Sequence, residues 1–174
     1  MGIFDILINN IKNMKNAKKL RVKGAEYLIA LDDDEFYDAV ECICRDAVYD
    51  INATNLTDEV KYVYSLNEFE MEVNNGGLCQ FFVNSSSECA PYISKALAAI
   101  GANELKTLFD NFINENNIDV NDLSSFKISD IEEYEAQTKR FDFDSFDDIF
   151  CENEIFHQQI IDYSRKNIEL LIID

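Results

Sequence analysis

A single proline, Pro91, and five glycines punctuate a chain of 174 residues. A β-sandwich or barrel needs a turn about every ten residues, and this chain has too few turn residues to supply them. Long helices are what such a sequence can form. Hydrophobic residues make up 47% and aromatics 12%, which is too apolar for a disordered chain. Tryptophan is absent, and thirteen Phe with eight Tyr supply the bulk of a core. The length suits one domain, read as an N-terminal amphipathic helix and basic extension over residues 1–30 and an acidic helical domain over 31–174.

Fifteen basic residues stand against 34 acidic ones, a net charge of −19. The imbalance is uneven. Residues 1–23 hold six bases and only Asp5, a net of +5, while residues 24–174 hold nine bases and 33 acids, a net of −24. A body of that charge repels phosphate backbones, which argues against direct nucleic-acid binding, and attracts proteins with basic faces. Cys42, Cys44, Cys79, Cys89 and Cys151 form no C-x-x-C pair. They read as reduced, mostly buried thiols of a cytoplasmic protein. No run approaches the ~18 apolar residues of a membrane span, and no signal peptide is expected.

Ile3, Phe4, Leu7, Ile8, Ile11 and Met14 recur at helical spacing, so residues 3–16 read as an amphipathic helix. The basic run Lys12 to Lys23 follows it, a pairing suited to packing or to lying on an anionic membrane. Asp32 to Asp34 cap a helix whose buried stripe is Phe36, Val40, Ile43, Ala47 and Ile51, and Thr57 caps the next. From Asn67 to Val73 polar and apolar residues alternate before Asn74-Asn75-Gly76-Gly77, which read locally favours a β-hairpin over a continued helix. Ser85 to Ser87 and Pro91 mark a helix start with serine caps, and Gly101 marks its end. Further helices follow over 105–113, from Ser129-Asp130 to Arg140, and over 155–173, with a polar loop at 114–129.

No catalytic apparatus stands out. Any Ser–His or Cys–His pair must use His157, the sole histidine, which reads as structural or surface. The run Asp142 to Asp148 spaces carboxylates, but Phe146 and Asp147 occupy positions where a calcium loop needs an oxygen ligand and glycine. Cys42-Ile43-Cys44 is too short for a zinc knuckle. No metal, cofactor or enzymatic activity is expected. The acids remain: Asp32 to Glu35, Glu68/Glu70/Glu72, Asp130/Glu132/Glu133/Glu135, and Asp142/Asp144/Asp147/Asp148 onward. Phe141, Phe143, Phe146 and Phe150 interleave the last group. That alternation packs a core beneath outward carboxylates, and such an array can also imitate duplex phosphates.

The segment Glu72-Val73-Asn74-Asn75-Gly76-Gly77-Leu78-Cys79-Gln80-Phe81-Phe82-Val83-Asn84-Ser85, with Ala90-Pro91-Tyr92 and Lys95 to Ala102 beyond it, resembles the signature of a bacterial family typified by a DNA-mimic protein of Neisseria. Similarity in helical layout extends over residues 33–170. The resemblance implies an all-α fold, here a single-domain irregular bundle of about six to eight helices, and so a helical 67–83. Asn75, Gly76, Gly77, Gln80, Phe81, Phe82 and Asn84 match the motif and read as structural: glycines for a tight junction, phenylalanines for the core, amides for backbone groups near the turn. The resemblance also implies a homodimer that binds a transcription factor or other nucleic-acid-binding protein through surface acids. The resulting expectation is a non-catalytic binder of a basic protein surface by DNA mimicry, with Asp130, Glu132, Glu133, Glu135, Asp142, Asp144, Asp147 and Asp148 as contact residues. The alternative is an immunity or inhibitor protein that neutralises one toxin or enzyme.

Overall fold

A computed structural model describes residues 3–50 and 55–172, with side chains from Met14 onward. Among them are nine α-helices and no strand: α1 Ile3–Ile29, α2 Asp33–Tyr49, α3 Asp58–Val83, α4 Ala90–Ala99, α5 Asn103–Glu115, α6 Ile131–Thr138, α7 Asp144–Cys151, α8 Phe156–Lys166 and α9 Ile168–Leu171. The expectation of an all-α fold holds. The residues gather into two compact units, 1–64 with 161–174, and 65–160.

In the first unit, Asp32 caps α2 by accepting from the Glu35 N–H at 2.9 Å. The expected stripe is buried as Phe36, Val40, Ile43 and Ala47, while Ile51 lies outside the described residues. These side chains close a core with Leu28, Val60, Val63, Ile161, Ile168 and Leu171. Thr57 caps α3, its Oγ1 accepting from the Val60 N–H at 3.2 Å and donating to the Leu170 carbonyl at 2.9 Å. Arg165 ties the α1–α2 corner by donating to the carbonyls of Ile29 and Leu31 and to Asp33, with its guanidinium 4.2 Å above the Phe36 ring. Helix α1 runs past the expected end at residue 16 and departs from helical geometry only at Gly24. Its predicted amphipathic face over Ile3 to Ile11 lies outside the described side chains.

The second unit holds eleven of the thirteen phenylalanines. Phe69 is its centre, fully buried, with Phe81, Phe109, Phe146, Phe150 and Phe156 edge-on to it at centroid distances of 5.0 to 6.5 Å. Edge-to-face pairs of this kind add about 0.5–1.5 kcal/mol each beyond the area they bury. A second layer forms on Phe82, which packs on Phe126 at 4.9 Å and beside Phe112. These rings do the work of the absent tryptophan.

Three local expectations are corrected. Residues 67–83 are helical on both sides of a break at Gly76-Gly77, as the family resemblance implies, and the local hairpin pattern is overruled: Leu66, Phe69, Glu70 and Val73 share the buried face while Met71 points outward. Ser85–Cys89 form a 3-10 turn that puts Cys89 at the N-cap of α4, so no serine caps that helix, and Ser86 bonds Glu72 instead. The terminal helix breaks at Asn167, whose side-chain amide donates to the Tyr163 carbonyl at 2.8 Å and ends α8.

Candidate functional site

The motif glycines split α3. Gly76 has φ −162° and Gly77 has φ +78°, ψ 177°, a conformation that L side chains rarely adopt. The break exposes the N–H of Leu78, which donates to Asp147 Oδ1 at 2.8 Å. Asp147 packs so closely on Gly77 that a Cβ there would overlap its carboxylate. Burial raises the Asp147 carboxyl above its ordinary value. The Leu78 bond opposes that shift, and the charges of Asp144 and Asp148 add to it.

On the other side of the break, the carboxylate of Glu72 is buried and receives three donors. They are Gln80 Nε2 at 2.7 Å, Asn84 Nδ2 at 2.8 Å and Ser86 Oγ at 3.1 Å. The motif amides therefore serve a buried carboxylate rather than the backbone groups that the sequence suggested. Phe81 and Phe82 are core residues, as expected. Asn75 is exposed at the junction. Glu72 and Glu70 looked like members of an exposed acidic cluster, yet both are buried.

The acids of 130–148 divide by what they do. Asp130 accepts from the Glu133 N–H at 2.8 Å, and Glu133 returns the bond to the N–H and hydroxyl of Ser129 at 2.7 and 2.9 Å. This reciprocal cap starts α6. Asp142 accepts from the N–H and hydroxyl of Ser145 ahead of α7. Asp147 holds Leu78. Glu132, Glu135, Asp144 and Asp148 are exposed, and among the described residues their carboxylates have no hydrogen-bond or ion-pair partner.

Helix α6 has no fully buried residue, and only Tyr134 and Gln137 on it are half-buried. It is held from its C-terminal end by Gln137 and Arg140, which both donate to the Ser125 carbonyl, with Arg140 stacked near Phe126 and Phe141. In and just before α7 the alternation resolves as packing beneath and charge above: Phe143, Phe146 and Phe150 are buried, while Asp142, Asp144 and Asp148 are exposed. An open groove of about 430 Å³ that sequence reasoning did not find runs over Val83, Pro91 and Leu123, with Glu88, Asp122 and Lys127 at its rim.

Groups with chemical potential are placed otherwise. His157 Nδ1 lies 3.1 Å from both carboxylate oxygens of Glu70. Burial pushes the Cys44 thiol up to about 12 and those of Cys79 and Cys89 to about 11, so each stays a protonated thiol near neutrality. All five cysteines are free. Among the described residues no three His, Cys, Asp or Glu side chains converge on a metal position, and no helix is long and apolar enough to cross a membrane.

The family model described as DMP19-like protein matches residues 54–167. That span holds α3 to α8, the glycine junction and the acidic helices, and it leaves α1 and α2 outside, although the sequence resemblance reached residue 33. No characterised protein and no solved structure matches the chain.

Proposed function

The chain belongs to the DMP19-like protein family, and from that membership we propose that it is a non-catalytic acidic protein that occupies a basic surface on a partner, a DNA-binding protein being the partner that best fits. The observation that carries this reading is the set of unpaired carboxylates on α6 and α7. The carboxylates of Glu132, Glu135, Asp144 and Asp148 cap nothing and bridge nothing, and α6 has no fully buried side chain, only the half-buried Tyr134 and Gln137. A helix with no fully buried side chain adds little to stability through packing. Its cost is easier to understand if it displays charge.

Recognition then works by complementarity. Residues 24–174 carry −24, which draws in a cationic face over distances of a Debye length, roughly 8 Å at physiological salt. A basic surface that normally holds a phosphate backbone is satisfied by carboxylates, with release of the counterions on both sides. The phenylalanines of 65–160 are buried apart from the half-buried Phe141, so this unit offers few of the aromatic anchors expected of a tight toxin inhibitor.

The test is capture of DNA-binding proteins from the native lysate on immobilised chain, followed by elution with duplex DNA. A partner that is displaced by duplex and lost at about 0.5 M salt supports the reading. Capture that is indifferent to both sinks it.

A further inference from the structure

The first unit carries a surface of opposite sign. On α1, Lys15, Lys18, Lys19 and Lys23 are exposed, and Met14 and Val22 stand among them at 58% and 81% exposure. The other side of the helix holds Ala17 and Leu28, both buried, and Arg21, which bonds Asp46 and the Ile43 carbonyl. The orientation of α1 is therefore fixed, and the lysine face looks to solvent.

Five bases are matched, while Lys95, Lys127, Lys139 and Lys166 outside α1 have no ion-pair partner among the described residues. Arg21, Arg45, Lys61, Lys106 and Arg165 pair with Asp46, Glu41, Asp58, Asp110 and Asp33. Lys15, Lys18 and Lys19 have no ion-pair partner among the described residues, although the chain holds 34 acids. Lys23 lies over the Tyr27 ring at 4.0 Å. Val22, the most exposed large hydrophobic residue described, stands one turn along α1 from Lys18 and Lys19 on one side and from Glu26 on the other.

We propose that this face of α1 docks on an anionic lipid surface. The headgroup layer offers phosphate oxygens to the ammonium groups, while the acyl boundary beneath it takes Val22 and Met14; lysine stems bridge the two levels. A duplex has no apolar layer for these side chains. The same helix continues toward the N-terminus through a sequence that includes Phe4, Leu7, Ile8 and Ile11. The −24 remainder opposes approach to such a surface, but screening beyond roughly 8 Å leaves the contact lysines to decide the outcome at physiological salt. The association is reversible, because each lysine near an anionic surface contributes about a fivefold gain in partitioning.

The experiment is co-sedimentation of the full chain with vesicles of phosphatidylcholine alone or mixed with phosphatidylglycerol. The chain is expected to pellet with the anionic vesicles only, and to be released at about 0.5 M salt. Replacing all four lysines (Lys15→Gln, Lys18→Gln, Lys19→Gln, Lys23→Gln) should cut partitioning by about a hundredfold or more. Val22→Ser, which changes no charge and touches no core, should cut it severalfold. Equal binding to neutral vesicles, no binding to anionic ones, or lysine-variant binding equal to the parent overturns the proposal. So does tighter binding to a duplex oligonucleotide, or a salt-sensitive self-association that the lysine changes abolish. These variants leave the acids of α6 and α7 intact, so the outcome is independent of that surface's partner.

Discussion

Asp147 Oδ1 accepts the Leu78 N–H at 2.8 Å, so a carboxylate 69 positions along the chain caps the helix segment that restarts after Gly77. Asp147→Ala removes the acceptor and leaves a part-buried N–H unpaired, at a cost of about 1–2 kcal/mol in urea unfolding. Asp147→Asn keeps an acceptor at that position and should cost little. The two variants also differ with pH. Burial raises the folded-state pKa of Asp147 above its ordinary 3.8, so the folded chain holds this proton more tightly than the unfolded one. The associated stability is present below the ordinary value and is lost as pH rises through the raised one. Asp147→Asn should therefore gain on the parent chain as pH climbs from the acid range to neutrality. A constant difference across that range defeats the assignment.

Gly77 and Gly24 separate backbone strain from collision. Both hold φ near +80° with extended ψ, but a Cβ at Gly24 meets nothing within 4 Å while one at Gly77 overlaps Asp147. Gly24→Ala should cost about 1–3 kcal/mol, the price of the conformation alone. Gly77→Ala should cost clearly more. In the double variant Gly77→Ala, Asp147→Ala the collision is gone, so the two losses should fall short of additivity by about 1 kcal/mol or more. Strict additivity in thermal or urea midpoints would place the strain elsewhere.

The three donors on Glu72 make a sharper prediction. Glu72→Ala strands Gln80, Asn84 and Ser86 and should destabilise by about 2–4 kcal/mol, since bonds to a charged group are each worth about 1.5–3 kcal/mol. Glu72→Gln turns an amide toward at least one of these donors and should be nearly as costly. Asn84→Asp sets two carboxylates against each other and should exceed Asn84→Ala in cost. If Glu72→Gln unfolds at the same urea concentration as the parent, the carboxylate is not what the motif amides are there to hold.

How much of this the sequence disclosed depends on the range of each interaction. The caps at Asp32 and Thr57, the left-handed Gly101 (φ +81°) and the split between Phe143/Phe146/Phe150 and their acidic neighbours were legible, because each is decided within one or two helical turns. The alternation of Glu68, Glu70 and Glu72 with Phe69, Met71 and Val73 misled because it counts acids as outward. Glu72 is inward, held by groups eight to fourteen positions away, and a local pattern carries no record of those bonds. Ser86 lost its expected capping role for the same reason. Asp147 looked like the other acids of its run, and only the fold sets it on Leu78.

The acids of 130–148 allow display to be separated from architecture. Asp130 and Glu133 close a reciprocal cap with Ser129, so Asp130→Ala should loosen α6, at a cost of about 1 kcal/mol in local helix stability, visible as faster amide exchange at Glu132 to Tyr134. Glu132, Glu135, Asp144 and Asp148 hold nothing in the fold, so converting all four to their amides should leave the urea midpoint unchanged or slightly raised by relief of repulsion. If these four are the contact surface, the same amide variant should lose capture of the basic partner by tenfold or more and show a shallower dependence of binding on salt. Asp130→Ala should retain most of both. Full capture by the four-amide variant would mean that recognition lies off α6 and α7, whatever the family, and the groove rimmed by Glu88 and Asp122 would be the next surface to change.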